Sequence, residues 1–474
     1  MATSSQDPCV SRSARGISSR CGWMRISFIF ALIVACFAPA SMSIGKAADL
    51  IDQQLALAHQ EAGVQPTPIC DDATFLRRVS LDLIGRVPTK VELESFLRKP
   101  DRGAKISELI QSDEHNKFWS SLWTTLLVGR NQRREVEQEV LRNWIEGELS
   151  RDPKLDEIAF ALITAQGVTS LDGPVNYVVA SREDPVMQLS RTFLSIQHDC
   201  AECHDHPFDR WTASDYEAMK RFYGPTRFRE VSGGVAVSDS GPSGELPTFL
   251  SGRKPHTSAW RRELGLMVVR SKTFSRAMVN RTWHWLMGRG FIEPVDGVSR
   301  DNQASIPALL ETLAGDLRAD QSRLRPLIQR ICESDAYQRE VSDEDAVLAE
   351  KQRSLFAARS PRSLLPEQWI ASLATVLDRP LPTANDLAKQ TRELIGLGQE
   401  LQPARDPFEW TSTTQTLVRQ LAVDIPAPLR DLDSTFLATV ARHPTEEERE
   451  LVTGFTSREI LFAIVHGNEF TTND

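Results

Sequence analysis

The sequence predicts a mainly α chain of two helical domains, joined by a Gly/Ser/Pro-rich segment with room for a small β-hairpin. Three observations carry that prediction. Apolar residues recur at helical spacing through most of the chain after residue 48. Prolines and glycines break that pattern at short intervals, which favours short packed helices over long ones. Between Gly224 and His256 the pattern lapses, and Gly233-Gly234, Gly241-Pro242 and Gly244 sit among Ser and Val. The predicted organisation is a leader at 1–48, a helical domain at 49–223, a linker at 224–256 and a second helical domain at 257–474.

The leader reads as a signal peptide. Arg12, Arg15, Arg20 and Arg25 precede an apolar run from Ile26 to Ala38, and small residues follow at Ala38-Pro39-Ala40 and Gly45-Lys46-Ala47. That run is about 13 residues, short of the roughly 20 that a spanning helix needs, so a cleaved signal is favoured over an anchor. Ile33-Val34-Ala35-Cys36 loosely fits a lipobox, a second way for the leader to be processed. The expected location is therefore outside the cytoplasm: periplasmic, cell-surface or secreted, with no membrane span after cleavage.

In the first domain helices are expected over Ile51–Glu61, Asp72–Leu83 and Lys90–Leu97, separated by Pro66, Pro68, Gly85 and Pro88. Thr89 is placed to cap the third of these. Trp119, Trp123 and Trp144 recur with Leu122, Leu126 and Leu127 at a spacing that reads as core. Val231–Val237 is the hairpin candidate. Helical periodicity returns over Trp260–Met287 and at Ile306, Leu309, Leu310, Leu313 and Leu317, with Ser305 as the expected cap and Pro307 in the first turn. Pro326 opens a further helix through Leu327, Ile328 and Ile331. Glu446 to Glu448 sit where a helix start favours acids.

Removing residues 1–48 takes away Arg12, Arg15, Arg20, Arg25 and Lys46 with one acid, Asp7, and moves the formal net charge from −9 to −13. An acidic chain without a Lys/Arg cluster argues against a nucleic-acid partner. Four cysteines remain, Cys70, Cys200, Cys203 and Cys332, too few for a disulfide scaffold at this length. No Gly-rich phosphate loop, G-x-S-x-G elbow or H-E-x-x-H pair occurs, so hydrolase readings are weak.

One motif carries chemistry. Cys200-Ala201-Glu202-Cys203-His204 has the C-x-x-C-H form, in which two thiols three residues apart add to the haem vinyl groups and the adjacent histidine ligates iron. Haem c is the expected cofactor, with Cys200 and Cys203 as attachment points and His204 as the proximal ligand. His206 adds a fourth nitrogen or sulfur donor within seven residues, so zinc is the alternative, although adjacent Cys203 and His204 fit poorly at two corners of one tetrahedron. A Cys200–Cys203 bridge is the third option. Met187, Met219, His198 and His206 are the nearby candidates for a sixth iron ligand, none preferred. Asn280-Arg281 and Gly288-Arg289-Gly290 could form a polar pocket with Asp296 nearby, but the preferred reading is a helix end and turn with Arg281 and Asp296 as a structural ion pair.

The string CAECHDHPFDRW from Cys200 to Trp211, with FLRRVSLDLIGRVP from Phe75 to Pro88, resembles the planctomycete cytochrome-like domain of unknown function 1549. The segment FSRAMVNRTWHWLMGRGFIEPVDG from Phe274 to Gly297 resembles the companion domain of unknown function 1553, and the likeness continues through Ser334–Gln338, Arg359–Gln368 and Asn468-Glu469-Phe470. Motif positions carried over are Cys200, Cys203, His204, His206, Pro207, Phe208 and Trp211, then Asn280, Arg281, Trp283, Gly288, Arg289, Gly290, Pro294 and Asp296. Arg86 and Val87, and Gly297 and Val298, depart from the usual residues. The resemblance implies an exported setting and no assigned reaction. The expectation is an exported cytochrome-c-like protein serving electron transfer or a redox step with an unidentified redox partner or surface protein. Its alternative is a cell-surface structural or interaction module held by zinc or a disulfide. An enzyme linked to polysaccharide breakdown ranks last, and whether the chain is an enzyme at all stays open.

Overall fold

A computed structural model describes residues 44–130, 134–207, 209–242, 244–395 and 431–473. The expected signal peptide, apart from its last residues, and Phe208 lie outside the described residues.

Local chemistry explains where the helices start and stop. Asp71 caps Asp72–Ile84 by accepting from the amides of Ala73 and Thr74, and Gly85 ends that helix in the left-handed region at φ 75°. A Cβ at Gly85 would lie 2.4 Å from the Phe118 ring, so the glycine meets both a backbone and a packing requirement. Thr89 and Glu92 form a reciprocal capping box on Lys90–Arg98, and Thr445 with Glu448 does the same for Glu446–Leu451. Two expectations need correction. The periodic stretch from Trp260 to Met287 is two helices, Trp260–Val269 and Lys272–Met287, because Ser271 turns the chain and caps the second. Ser305 does not cap Pro307–Ala319: Ile306 holds the cap position and the Ser305 amide donates to the Phe291 carbonyl. The first helix begins at Ile44, ahead of the expected Ile51. Among the described residues no helix is long and apolar enough to cross a membrane.

Helices dominate, and the sheets are small. The expected hairpin forms, longer than Val231–Val237: β2 (Thr226–Val231) pairs with β3 (Gly234–Asp239), and β1 (Gly167–Val168) adds to the other edge of β3, all antiparallel. Gly233 and Gly234 turn at φ 93° and 125°, and a Cβ on Gly234 would sit 2.2 Å from Thr169 Oγ1. The Gly/Ser/Pro-rich segment is thus stitched to the first domain by β1. It is also fixed to the second, where the Arg261 guanidinium, fully buried, pairs with Asp239 at 3.0 Å.

The two helical halves share a core. Trp119 and Trp123 meet Trp285 edge-on at 5.7 and 5.2 Å, and Phe193 lies 6.5 Å from Phe274. Trp144 packs against the same cluster at its margin. A smaller cluster joins Leu81 and Val87 to Leu364, Trp369, Phe436, Val465 and Phe470.

Between these clusters lies a buried polar hub on Asp82, whose side chain is inaccessible to solvent. Its Oδ2 accepts from Tyr337 Oη at 2.7 Å and Arg359 Nη2 at 3.3 Å, while Oδ1 accepts from Asn473 Nδ2 at 2.7 Å and from Arg362. Arg78 donates to the carbonyls of Tyr337 and Arg339, and Arg77 to those of Thr472, Glu469 and Phe470. Burial, then the nearby Arg359, lowers the Arg78 guanidinium from its ordinary range, and burial does the same to Arg362. Asp82, Tyr337, Arg359, Arg362 and Asn473 thus satisfy one another, and Arg77 and Arg78 satisfy backbone carbonyls, where the chain's distant segments meet. β4 (Arg362–Ser363) and β5 (Thr472–Asn473) pair beside the hub and hold Arg362 and Asn473 in place.

Candidate haem-attachment loop

The cysteine loop is built on an irregular support. The helix Pro185–Leu189, capped by Asp184, runs into a π-turn over Ser190–Leu194, and Ser195 then adopts the left-handed conformation at φ 55°. π-Turns of this kind re-aim the chain that follows. Here Ser190 Oγ meets His198 Nδ1 at 2.9 Å, and the buried His198 ring packs edge-on to Trp211 at 4.7 Å. Asp184 also accepts from Tyr216 Oη at 2.6 Å, tying the support to the helix Ala213–Lys220.

On this base Asp199–Glu202 forms a 3₁₀ turn, with the Cys203 amide bonded to the Cys200 carbonyl. At three residues per turn, positions 200 and 203 fall on one side. Both cysteines are exposed and neither is in a disulfide, while Ala201 between them is buried and pins the turn to the core. His204 is exposed, and its Nδ1 bonds to the Asp205 carbonyl at 2.8 Å, which leaves Nε2 as the nitrogen directed to an incoming ligand.

The rest of the motif closes the loop. His206 donates its amide to the Trp211 carbonyl at 2.8 Å, and Asp205 Oδ1 accepts from the Ala213 amide at 3.0 Å. Thr212 and Asp215 form a capping box at the next helix, and Arg210 lies 4.4 Å over the Trp211 ring. Among the suggested sixth ligands, Met219 is fully buried in the core and His198 is buried beneath Trp211, whereas Met187 and His206 are half-buried.

The companion half clamps this loop. Asp296 pairs with Arg191 at 3.0 Å and accepts from Gln197 Nε2 at 2.9 Å, and the Val298 amide donates to the Ser195 carbonyl. Arg281, expected to pair with Asp296, donates to the Arg191 carbonyl at 3.0 Å. Asn280 both donates to and accepts from the Ile292 backbone, and Gly288 ends its helix at φ 73°. Asp296, Arg281 and Val298 thus brace the support of the loop, while Asn280 and Gly288 shape the end of their own helix. Sequence reading missed Asp184, Ser190 and Arg191, because nothing in SRTFLS announces a π-turn.

The donor set suits covalent haem: two accessible thiols on one side of a turn and a neighbouring imidazole whose other nitrogen is already held. Among the described residues no three His, Cys, Asp or Glu side chains gather into a metal-binding group. Family models match the chain twice, as PSCyt2, protein of unknown function DUF1549, over residues 50–228, and as PSD1, protein of unknown function DUF1553, over residues 261–391. No curated protein and no solved structure matches it. The cysteine loop lies inside the first match and its Asp296 clamp inside the second, and the chain belongs to the proteins that pair domain of unknown function 1549 with domain of unknown function 1553.

Proposed function

We propose that the chain is an exported, cytochrome-c-like protein carrying haem covalently on Cys200 and Cys203, with His204 as the proximal ligand, and that it serves electron transfer or a redox step. The observation that carries this reading is the pair of exposed thiols on one 3₁₀ turn beside an imidazole held by Nδ1 with Nε2 outward. Haem attachment needs only two thioethers and one axial nitrogen. Zinc needs three or four side chains converging on one point, which Cys200, Cys203, His204 and His206 do not do. Bound haem supplies a one-electron couple at its iron. The protein's part is to hold the loop rigid: the His198–Trp211 contact beneath it and the Arg191–Asp296 clamp beside it fix the turn from two directions.

The test is to express the chain with its leader in a host that matures c-type cytochromes and to record the pyridine haemochrome spectrum of the denatured protein. A covalent haem signal that disappears in Cys200→Ala/Cys203→Ala is the expected result. Colourless protein from a host that matures a control cytochrome sinks the reading and leaves the zinc- or disulfide-held surface module.

A further inference from the structure

Away from the cysteine loop, a cleft opens between the helices Asp113–Val128 and Gln138–Leu149 on one side and Pro366–Val376 and Ala384–Ile395 on the other. It consists of two adjoining spaces of about 370 and 40 Å³ that share Ser121, Arg142, Glu367 and Leu387 as walls. The wide space is largely apolar, with Ile84, Phe118, Leu381 and Leu387 on its surface. The narrow one carries hydroxyls, Thr125 and Thr391 among them.

The charges are unevenly matched. Arg86 is gripped by Glu92 at 2.9 Å and Glu114 at 2.7 Å, and Arg130 by Glu367 at 2.9 Å. Arg142 is only 7% exposed, and among the described residues no carboxylate lies within ion-pair distance of it. Its Nη2 donates to Asn385 Oδ1 at 2.8 Å, but its Nε has no hydrogen-bond partner. Thr391, 1% exposed, has an unpartnered Oγ1 on the same space. Burial lowers the Arg142 guanidinium from its ordinary range, against the opposing fields of Glu139 and then of Glu146, which stands on the wall of the wide space. A buried guanidinium with an orphaned N–H is costly in an empty protein and becomes favourable when an oxyanion completes it.

We propose that this cleft binds a small organic oxyanion, its charged oxygens on Arg142 and Thr391 and its apolar body against Phe118 and Leu387. The volume is at the lower end of small-molecule pockets, which are roughly 300–1,000 Å³. The ligand is therefore a compact one- or two-ring compound bearing a carboxylate or a sulfate-like group. The site shares no residue with the cysteine loop, so it stands whether or not haem is attached.

Calorimetry on the full chain with 2-naphthoate, 2-naphthalenesulfonate and neutral 2-naphthamide separates charge from shape. At least one anion is expected to bind about 10- to 100-fold more tightly than the amide, the range for a charge-assisted hydrogen bond. The tighter of the two anions identifies the head group. Arg142→Gln should erase the preference for anions while leaving the melting temperature no lower than wild type, since it removes an unpaired buried cation. Thr391→Val, which keeps the shape, should weaken the anions alone and serves if Arg142→Gln does not fold. Failure of both anions to bind, equal binding of the amide, or an unchanged anion preference in either folded variant overturns the proposal.

Discussion

One buried and one half-buried titratable group pull the acid stability of this protein in opposite directions. His115, with Nδ1 on the Leu83 carbonyl and its ring against Trp119, is pushed by burial from 6.5 to about 4, against the carbonyl's opposing effect. Between those values the unfolded chain binds the extra proton, so the histidine's contribution is lost as pH falls from 6.5 towards 4. Asp52 is raised by burial from 3.8 to about 6, although the Asp335 and Ala336 amides stabilise its charged form. Here the native state holds the extra proton, and the contribution is lost as pH rises from 3.8 to 6. The two windows overlap and largely cancel. Asp52→Asn should therefore lose stability more steeply than wild type as pH drops from 6.5 to 4, and His115→Gln should flatten or reverse the slope. Urea melts across that range check both, and parallel curves for all three proteins would contradict the assignment.

At the scale of elements, two glycines separate backbone strain from crowding. Gly63 sits at φ 61° with nothing within 4 Å of a Cβ, whereas Gly288, at φ 73°, would place its Cβ 2.4 Å from the Ser360 carbonyl oxygen. Gly63→Ala should lose about 1–2 kcal/mol, the left-handed penalty. Gly288→Ala should lose clearly more in the same thermal melts, because the obstacle is backbone. Equal losses would mean that Ser360 moves aside freely. Signals of this local kind were legible in the sequence: the Thr89 cap, the acidic helix start at Glu446, the stops at Gly85 and Gly288, and the C-x-x-C-H spacing each depend on residues within one turn or two. The break at Arg270–Ser271 was not legible, because apolar residues on both sides keep a helical phase. Nor was the role of Arg142, an arginine on an amphipathic helix whose hydrogen-bond partner Asn385 lies 243 residues away. The π-turn under the cysteine loop leaves no compositional mark.

For the whole molecule the sequence suggested two helical domains, and two family models match the chain, over residues 50–228 and 261–391. Packing nevertheless makes the halves depend on each other. Trp285 closes on Trp119 and Trp123, and Asp82 is neutralised by Arg359 and Arg362 from the other half. Asp82→Ala strands two buried guanidinium groups and should cost about 3–5 kcal/mol. Calorimetry should show one transition moved to lower temperature. A variant that split the melt into two transitions, one near the wild-type temperature, would show that each half stands on its own. Periodicity announced the helix bearing Asp82, but nothing near it in the sequence marks the partners of its polar residues, which lie more than 250 positions downstream.

Those partners also set an order of events. The hydrogen bonds that satisfy Asp82 come from residues 255, 277, 280 and 391 positions downstream. While the chain is being made, its amino-terminal helices emerge with a carboxylate and two arginines that have nothing to meet. They cannot settle into a dry interior until those distant segments have arrived, so this part of the core waits on long-range contacts while the locally capped helices do not.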